Sequence, residues 1–255
     1  MRVWLSNTVL SWLPRLTGWS TKASENLLRP YAHWEHAHKL SNSDANQFIR
    51  IDIVTTLKRS VDIRIRNLND IYQFRNIQLL KKEKNLVEIL SQLEIVRPMM
   101  ISKLNRIRNT IEHQDKAPPS YEECMELIDF TWYFLRSTDK LIQQIPAGVI
   151  YDPQGGNYVT PYGVSFNVSA GQDWQVEVTG WVENYMISPD EKLNWLLIEC
   201  EECCSAETLF ARKKRWSGYL DSHKDKKVSD MHFAGKFSGP PELMKEFLIH
   251  YFRAC

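Results

Sequence analysis

The chain has 255 residues, 43% of them hydrophobic and 25% charged, the composition of an ordinary soluble globular protein with room for one large or two modest domains. The formal net charge is only +1, so no overall basic character draws it to nucleic acid, and any RNA-binding surface has to arise by local clustering. Five cysteines, with three crowded at Cys200, Cys203 and Cys204, do not make a disulfide framework and point to a reduced, cytoplasmic setting.

No run approaches the ~18 apolar residues a membrane span needs. Trp4, Leu5, Trp12 and Leu13 give the start of the chain some signal-like character, but Ser6, Asn7, Thr8 and Ser11 interrupt it and no clean cleavage site follows. Residues 1–43 read as an amphipathic extension packed on the protein, with a shallow membrane-surface helix as the alternative. His33, His36 and His38 suggest a metal cluster, yet their spacing puts them on different faces of a helix and no further ligands complete a site.

A long helix is expected over 44–74, where Leu57, Val61, Leu68 and Tyr72 recur at helical spacing and the SNSD stretch supplies capping chemistry. Its other faces carry Lys58, Arg59, Arg64 and Arg66, read as a solvated face or as phosphate contacts if they flank a site. A second amphipathic helix is expected over 79–96. Pro98 opens a third, running to about His113 ahead of Pro118 and Pro119. Ser120 and Glu123 make a capping-box pattern for a fourth, over 121–145, which Pro146 and Gly148 end.

Beyond residue 147 the stretches GVIYDPQGGNYVT, GVSFNV and WQVEVTGWVENY are short, alternating and β-rich. Ser188 to Glu191 then reads as the cap of a helix running into ECEECC, and PELMKEFLIHYF as a final helix. The expected fold class is a mainly α-helical bundle over 44–147 followed by a smaller α+β domain over 148–255.

The third predicted helix contains RIRNTIEH. On a helical wheel, Met100, Ile107 and Ile111 lie within about 60° of Leu104, one apolar stripe for a core. Asn109 and His113 are neighbours one turn apart, roughly opposite that stripe, with Arg106 on their side and Arg108 at the flank. These polar groups face water, a ligand or another subunit.

The run Arg108-Asn109-Thr110-Ile111-Glu112-His113 resembles the R-x4-6-H motif of HEPN ribonuclease domains, with asparagine at the favoured place after the arginine. The resemblance covers roughly residues 44–145. Two looser matches, Arg29 to His36 and Arg106 to His113, are also present, and the second leaves Arg106 as an alternative to Arg108. The resemblance implies a metal-independent RNA endonuclease with Arg108, Asn109 and His113 as catalytic residues and no cofactor. It also implies a homodimer that pairs the two motif helices, an antitoxin or regulatory partner, and a role as a toxin or antiviral defence effector. The alternative is a catalytically silent module of the same type that dimerises or binds nucleic acid. Asp115 stands where one subset of the family carries a modified tyrosine, which that mode of neutralisation lacks here.

The residue types suit that chemistry. Histidine titrates near neutrality and can activate a ribose 2′-hydroxyl or protonate the leaving oxygen. A guanidinium fork stabilises charge on the phosphate oxygens. Further RNA contacts are expected from Arg106 and from the basic run Arg212, Lys213, Lys214 and Arg215, beside Trp216 and Tyr219. Cys200 and Cys203 form a C-x2-C pair without a second pair at zinc-site spacing, so buried cysteines on a helix are the preferred reading.

Overall fold

Asn46 accepts the backbone N–H groups of Phe48 and Ile49 at 2.9 and 3.0 Å in the computed structural model. This satisfies two of the four donors a helix start leaves open, and a helix of 26 residues follows. The structure describes residues 1–20, 28–43, 46–77, 80, 85–114, 119–153, 162–170, 174–212 and 230–254. It divides into a helical unit, residues 21–145, and a sheet unit made of residues 1–20 and 146–255.

The helical unit holds α1 (Arg29–Ser41), α2 (Gln47–Tyr72), α3 (Leu86–Gln92), α4 (Pro98–Gln114) and α5 (Tyr121–Gln143). Helix α2 is central and packs on α1, α4 and α5. Its Ile53, Val54, Leu57, Val61, Leu68 and Tyr72 are wholly buried, the 3–4 residue spacing of a core-facing stripe. Gln73, at φ 49°, ends it in a left-handed turn, its N–H bonding Asn69 O at 2.7 Å. Ser120 and Glu123 close the capping box of α5 at 2.9 and 3.1 Å. Of the helix expected over 79–96, part of which lies outside the described residues, the structure shows the seven residues of α3, which Asn85 caps.

Arg64 does not lie on a solvated face. Its side chain is 1% exposed and donates to Asp139 Oδ1 at 2.9 Å, while Tyr31 donates to Asp139 Oδ2 at 2.6 Å. The wheel places position 64 about 140° from Arg59, so two arginines of one helix serve opposite sides of it.

The sheet unit has eight strands in the order β2-β3-β4-β5-β8-β7-β1-β6. In chain order they are β1 (Arg2–Leu5), β2 (Leu13–Ser20), β3 (Ile145–Asp152), β4 (Gly163–Ser169), β5 (Gln175–Val182), β6 (Ile187–Ser188), β7 (Leu196–Ser205) and β8 (Met231–Gly239). The neighbouring pairs from β3 through to β6 run antiparallel. Helices α6 (Ala206–Arg212) and α7 (Pro241–Ala254) complete the unit. Phe166 and Phe247 stack at 4.9 Å between centroids, with Phe237 and Tyr151 edge-on to Phe166. Tyr251 satisfies its buried hydroxyl on Pro146 O at 2.7 Å.

This sheet overturns the expected fold class. A chain whose core includes eight antiparallel strands is α+β, not a mainly helical bundle with a smaller appendage. The sheet also draws on residues 2–5 and 13–20, which pair with partners far along the sequence. Pro14 lies in β2, an edge strand, where proline is tolerated within a sheet.

The helix expected through ECEECC is likewise a strand, β7. Leu196, Ile198 and Cys200 are buried in alternation, and β8 and β1 pair with it on both sides. Two-sided pairing outweighs the helical preference of its glutamates. Ser188, expected to cap that helix, instead accepts the Asp190 N–H at 3.1 Å in a turn. Among the described residues no helix is long and apolar enough to cross a membrane.

Candidate functional site

Helix α4 shows its core to α2 through Ile101 and Leu104, which are 1% and 0% exposed. Arg106 and Asn109 are exposed and Arg108 is half-buried. Arg108 Nη1 donates to Asn109 Oδ1 at 3.2 Å, so the first two motif residues are in contact. Position 113 is on the same helix, one turn beyond Asn109 and about 140° around from Arg108. One copy of α4 therefore does not bring positions 108 and 113 to one face. The side chains of His113 and Arg212, and the whole of Lys213, Lys214 and Arg215, lie outside the described residues; α6 ends at Arg212, in the sheet unit.

Arg108 opens towards α2. It lines an open cleft of about 290 Å³ with Thr55, Lys58, Arg59, Asp62 and Arg66. A second cleft of about 560 Å³ lies on the α1 side, where Arg29 and Asp70 join Arg59 and Arg66. A third, of about 680 Å³, runs towards α3 and includes Lys58, Arg66, Arg75 and Asn105. Arg66 lines all three, so they adjoin around it. Together they present Arg29, Lys58, Arg59, Arg66, Arg75 and Arg108 against the two carboxylates Asp62 and Asp70.

Part of that charge is internally engaged. Lys58 pairs with Asp62 one turn on, and Arg66 Nε donates to the Asp62 carbonyl at 3.3 Å. The surplus remains positive. Partial burial holds His33 below the ordinary imidazole value, and Arg59, Arg29 and His36 push it in the same direction. A surface with this excess of cationic side chains is complementary to polyanions.

Sequence reasoning found Arg108 and the α2 cations, but not that Arg29, Arg75 and Asn105 join them. The spacing of Arg59 and Arg66, seven residues or about two turns, was the available signal for a common face. In the sheet unit, Cys200 and Cys203 share one side of β7, while Cys204 packs on the other with Trp181, Ala206 and Leu209. No group of three His, Cys, Asp or Glu among the described residues is placed to hold a metal ion. Comparison with protein-family models, with curated proteins and with solved structures gives no match for this chain.

Proposed function

We propose that the chain is a metal-independent RNA endonuclease of the HEPN type, with α4 as its motif helix. The observation that carries this reading is the cleft Arg108 shares with Lys58, Arg59 and Arg66. The arginine of the motif continues a cationic surface able to hold successive phosphates, although the chain as a whole is nearly neutral.

In this reading His113 moves the proton of the ribose 2′-hydroxyl or of the leaving oxygen. Arg108 stabilises charge on the phosphate, and Asn109 holds the Arg108 guanidinium through the contact seen between them. The divergence of positions 108 and 113 around α4 is resolved when two copies pair their α4 helices, so that an arginine of one faces a histidine of the other. The active form is then a homodimer. An antitoxin or regulatory partner and a role as a toxin or defence effector follow from the same resemblance. Cys124, Cys200, Cys203 and Cys204 are thiols, which suits a cytoplasmic site of action.

The extension of the cationic clefts to Arg29 and Arg75, away from the motif, favours one alternative: a module that binds RNA without cutting it. Purified chain incubated with RNA and excess chelator separates the two. Cleavage leaving 2′,3′-cyclic phosphate ends, lost in His113→Ala with RNA affinity retained, is the expected result. Binding without cleavage selects the silent module, and strict dependence on magnesium removes the proposed mechanism.

A further inference from the structure

Residues three apart on a regular strand point to opposite faces of a sheet. Cys200 and Cys203 do not, because β7 is irregular between them. Cys200 stands opposite Gly235, Glu202 opposite Ala234 and Cys203 opposite Phe233. Glu201 is thus an extra residue in a β-bulge. Gly235 and Phe233 are two apart on β8 and share a face, so their partners Cys200 and Cys203 share it too. A Cβ at position 235 would stand 2.7 Å from the Cα of Cys200, so the glycine permits the close approach at the bulge.

The register makes the two cysteines neighbours along one face, separated by about two strand residues, or roughly 6.6–6.8 Å. That is at the upper end of the Cα separations a disulfide spans, about 4.4–6.8 Å. We propose that Cys200 and Cys203 form a dithiol modification site, which a low-molecular-weight disulfide converts into an intrastrand disulfide across the bulge.

The two thiols have different roles. Cys200 is 6% exposed; the neighbouring Cys203 sulfur, and then burial, hold its thiol above the ordinary value, while the same neighbour lowers Cys203 although burial opposes it. Cys203 is the more exposed of the two. It is therefore the sulfur that an incoming disulfide meets, already biased towards thiolate, the nucleophilic form. The other described cysteines are poorer candidates. Cys204 lies in an apolar cluster on the opposite face, and burial pushes Cys124 up to about 11.

The exchange balances. The Cys203 thiolate attacks one sulfur of the reagent, forming a mixed disulfide and expelling one small thiolate. Cys200 loses its proton, its sulfur attacks the Cys203 sulfur, and the second small thiol leaves. Two protein thiols are oxidised to one disulfide and one reagent disulfide is reduced to two thiols. The stretched span makes the product readily reducible by excess monothiol.

The test uses the full chain and cystamine, whose cationic ends suit the exposed carboxylates of Glu199 and Glu201. In the full chain carrying Cys255→Ser, which removes the fifth thiol, intact mass should fall by two hydrogens with no cysteamine retained, and dithiothreitol should restore it. Because Glu201 and Glu202 lie between the thiols, glutamyl endopeptidase should separate the Cys200 and Cys203 fragments only after reduction. Cys200→Ser should trap one cysteamine on Cys203, and Cys203→Ser should leave Cys200 unmodified. Stable cysteamine adducts on the Cys255→Ser chain, no reaction, or fragments that separate without reduction overturn the proposal. The fragment test needs no variant to fold.

Discussion

Arg64 and Asp139 form a buried ion pair, 2.9 Å between Nη2 and Oδ1, with side chains 1% and 15% exposed. Arg136 approaches the same carboxylate at 3.6 Å from the surface side, and the Tyr31 ring lies 5.5 Å from the Arg64 guanidinium carbon. Removing one partner leaves a charge buried without its counter-charge. Asp139→Ala is expected to cost about 3–5 kcal/mol in urea denaturation. Replacing Arg64 and Asp139 together by Met and Leu should cost far less than the single change. An Asp139→Ala loss below about 1 kcal/mol would rank this pair with surface bridges.

Arg59 and Arg66 belong to the opposite side of α2 and are expected to act on RNA alone. Their joint replacement by Ala should weaken single-stranded RNA binding and flatten its salt dependence, by about 0.7 in log–log slope for each phosphate no longer neutralised. Thermal stability should hardly change, since both side chains are exposed. Filter binding across a salt series reads the slope, and an unchanged slope removes these residues from the RNA path.

For catalysis the two arginines of α4 should part company. Arg108→Ala is expected to reduce cleavage by roughly 10²–10³, the effect of losing an anion-stabilising donor. Arg106→Ala should mainly weaken affinity. Arg108→Lys should not restore full activity, because an ammonium lacks the planar fork. Cleavage that survives Arg108→Ala but not Arg106→Ala reverses the assignment in favour of the residue on the His113 side of the wheel.

The pH dependence of stability has a sign set by Cys124. Burial raises its thiol from 9.0 to about 11, so between those values the native state holds a proton that the unfolded chain has lost. Stability is therefore complete below about 9, declines through this window and levels off above about 11. Tyr31 adds to the decline from about 10 upwards, because partial burial, followed by its bond to Asp139, raises its phenol. Urea denaturation at stepped alkaline pH should show a shallower fall for Cys124→Ser than for the wild type.

Gly235→Ala should destabilise the sheet unit by about 1–3 kcal/mol, as overpacking does. The added Cβ would come within 2.3 Å of the Glu199 carbonyl oxygen and 2.7 Å of the Cys200 Cα, both backbone atoms that no side-chain rotation can move away. Thermal unfolding followed by circular dichroism measures the loss. A variant as stable as the wild type would mean that β7 and β8 adjust their spacing freely.

The helices were legible because their signals are local. The Ser120–Glu123 box and the apolar stripes of α2, α4 and α5 lie within a few residues of one another. Strand β7 was not legible: two adjacent glutamates and three cysteines read as a helix, and only pairing on both sides makes them a strand. Strands β1 and β2 were hidden for the same reason, since Trp4 and Leu5 find partners at Leu197 and Leu196. In the site, Arg108 and Asn109 were visible as a motif, whereas Arg29 and Arg75 meet Arg66 only through the packing of helices around α2. Arg64 shows the converse error, a cation assigned to water that the fold buries.

The pairing of residues 2–5 with residues 196–199 has a consequence for synthesis on the ribosome. Strand β1 leaves the exit tunnel long before β7 exists, and the whole stretch from 21 to 145 emerges in between. Contacts of such sequence separation form slowly because a long loop must close first, whereas the helical unit is continuous and can assemble as it appears. Until β7 arrives, the β1 backbone is an unpaired ribbon bearing Val3 and Leu5, open to the same kind of strand on a neighbouring nascent chain. Transplanting residues 1–20 to follow residue 255 through a flexible linker would bring the two strands closer in sequence. Such a permuted chain should refold faster and precipitate less during expression.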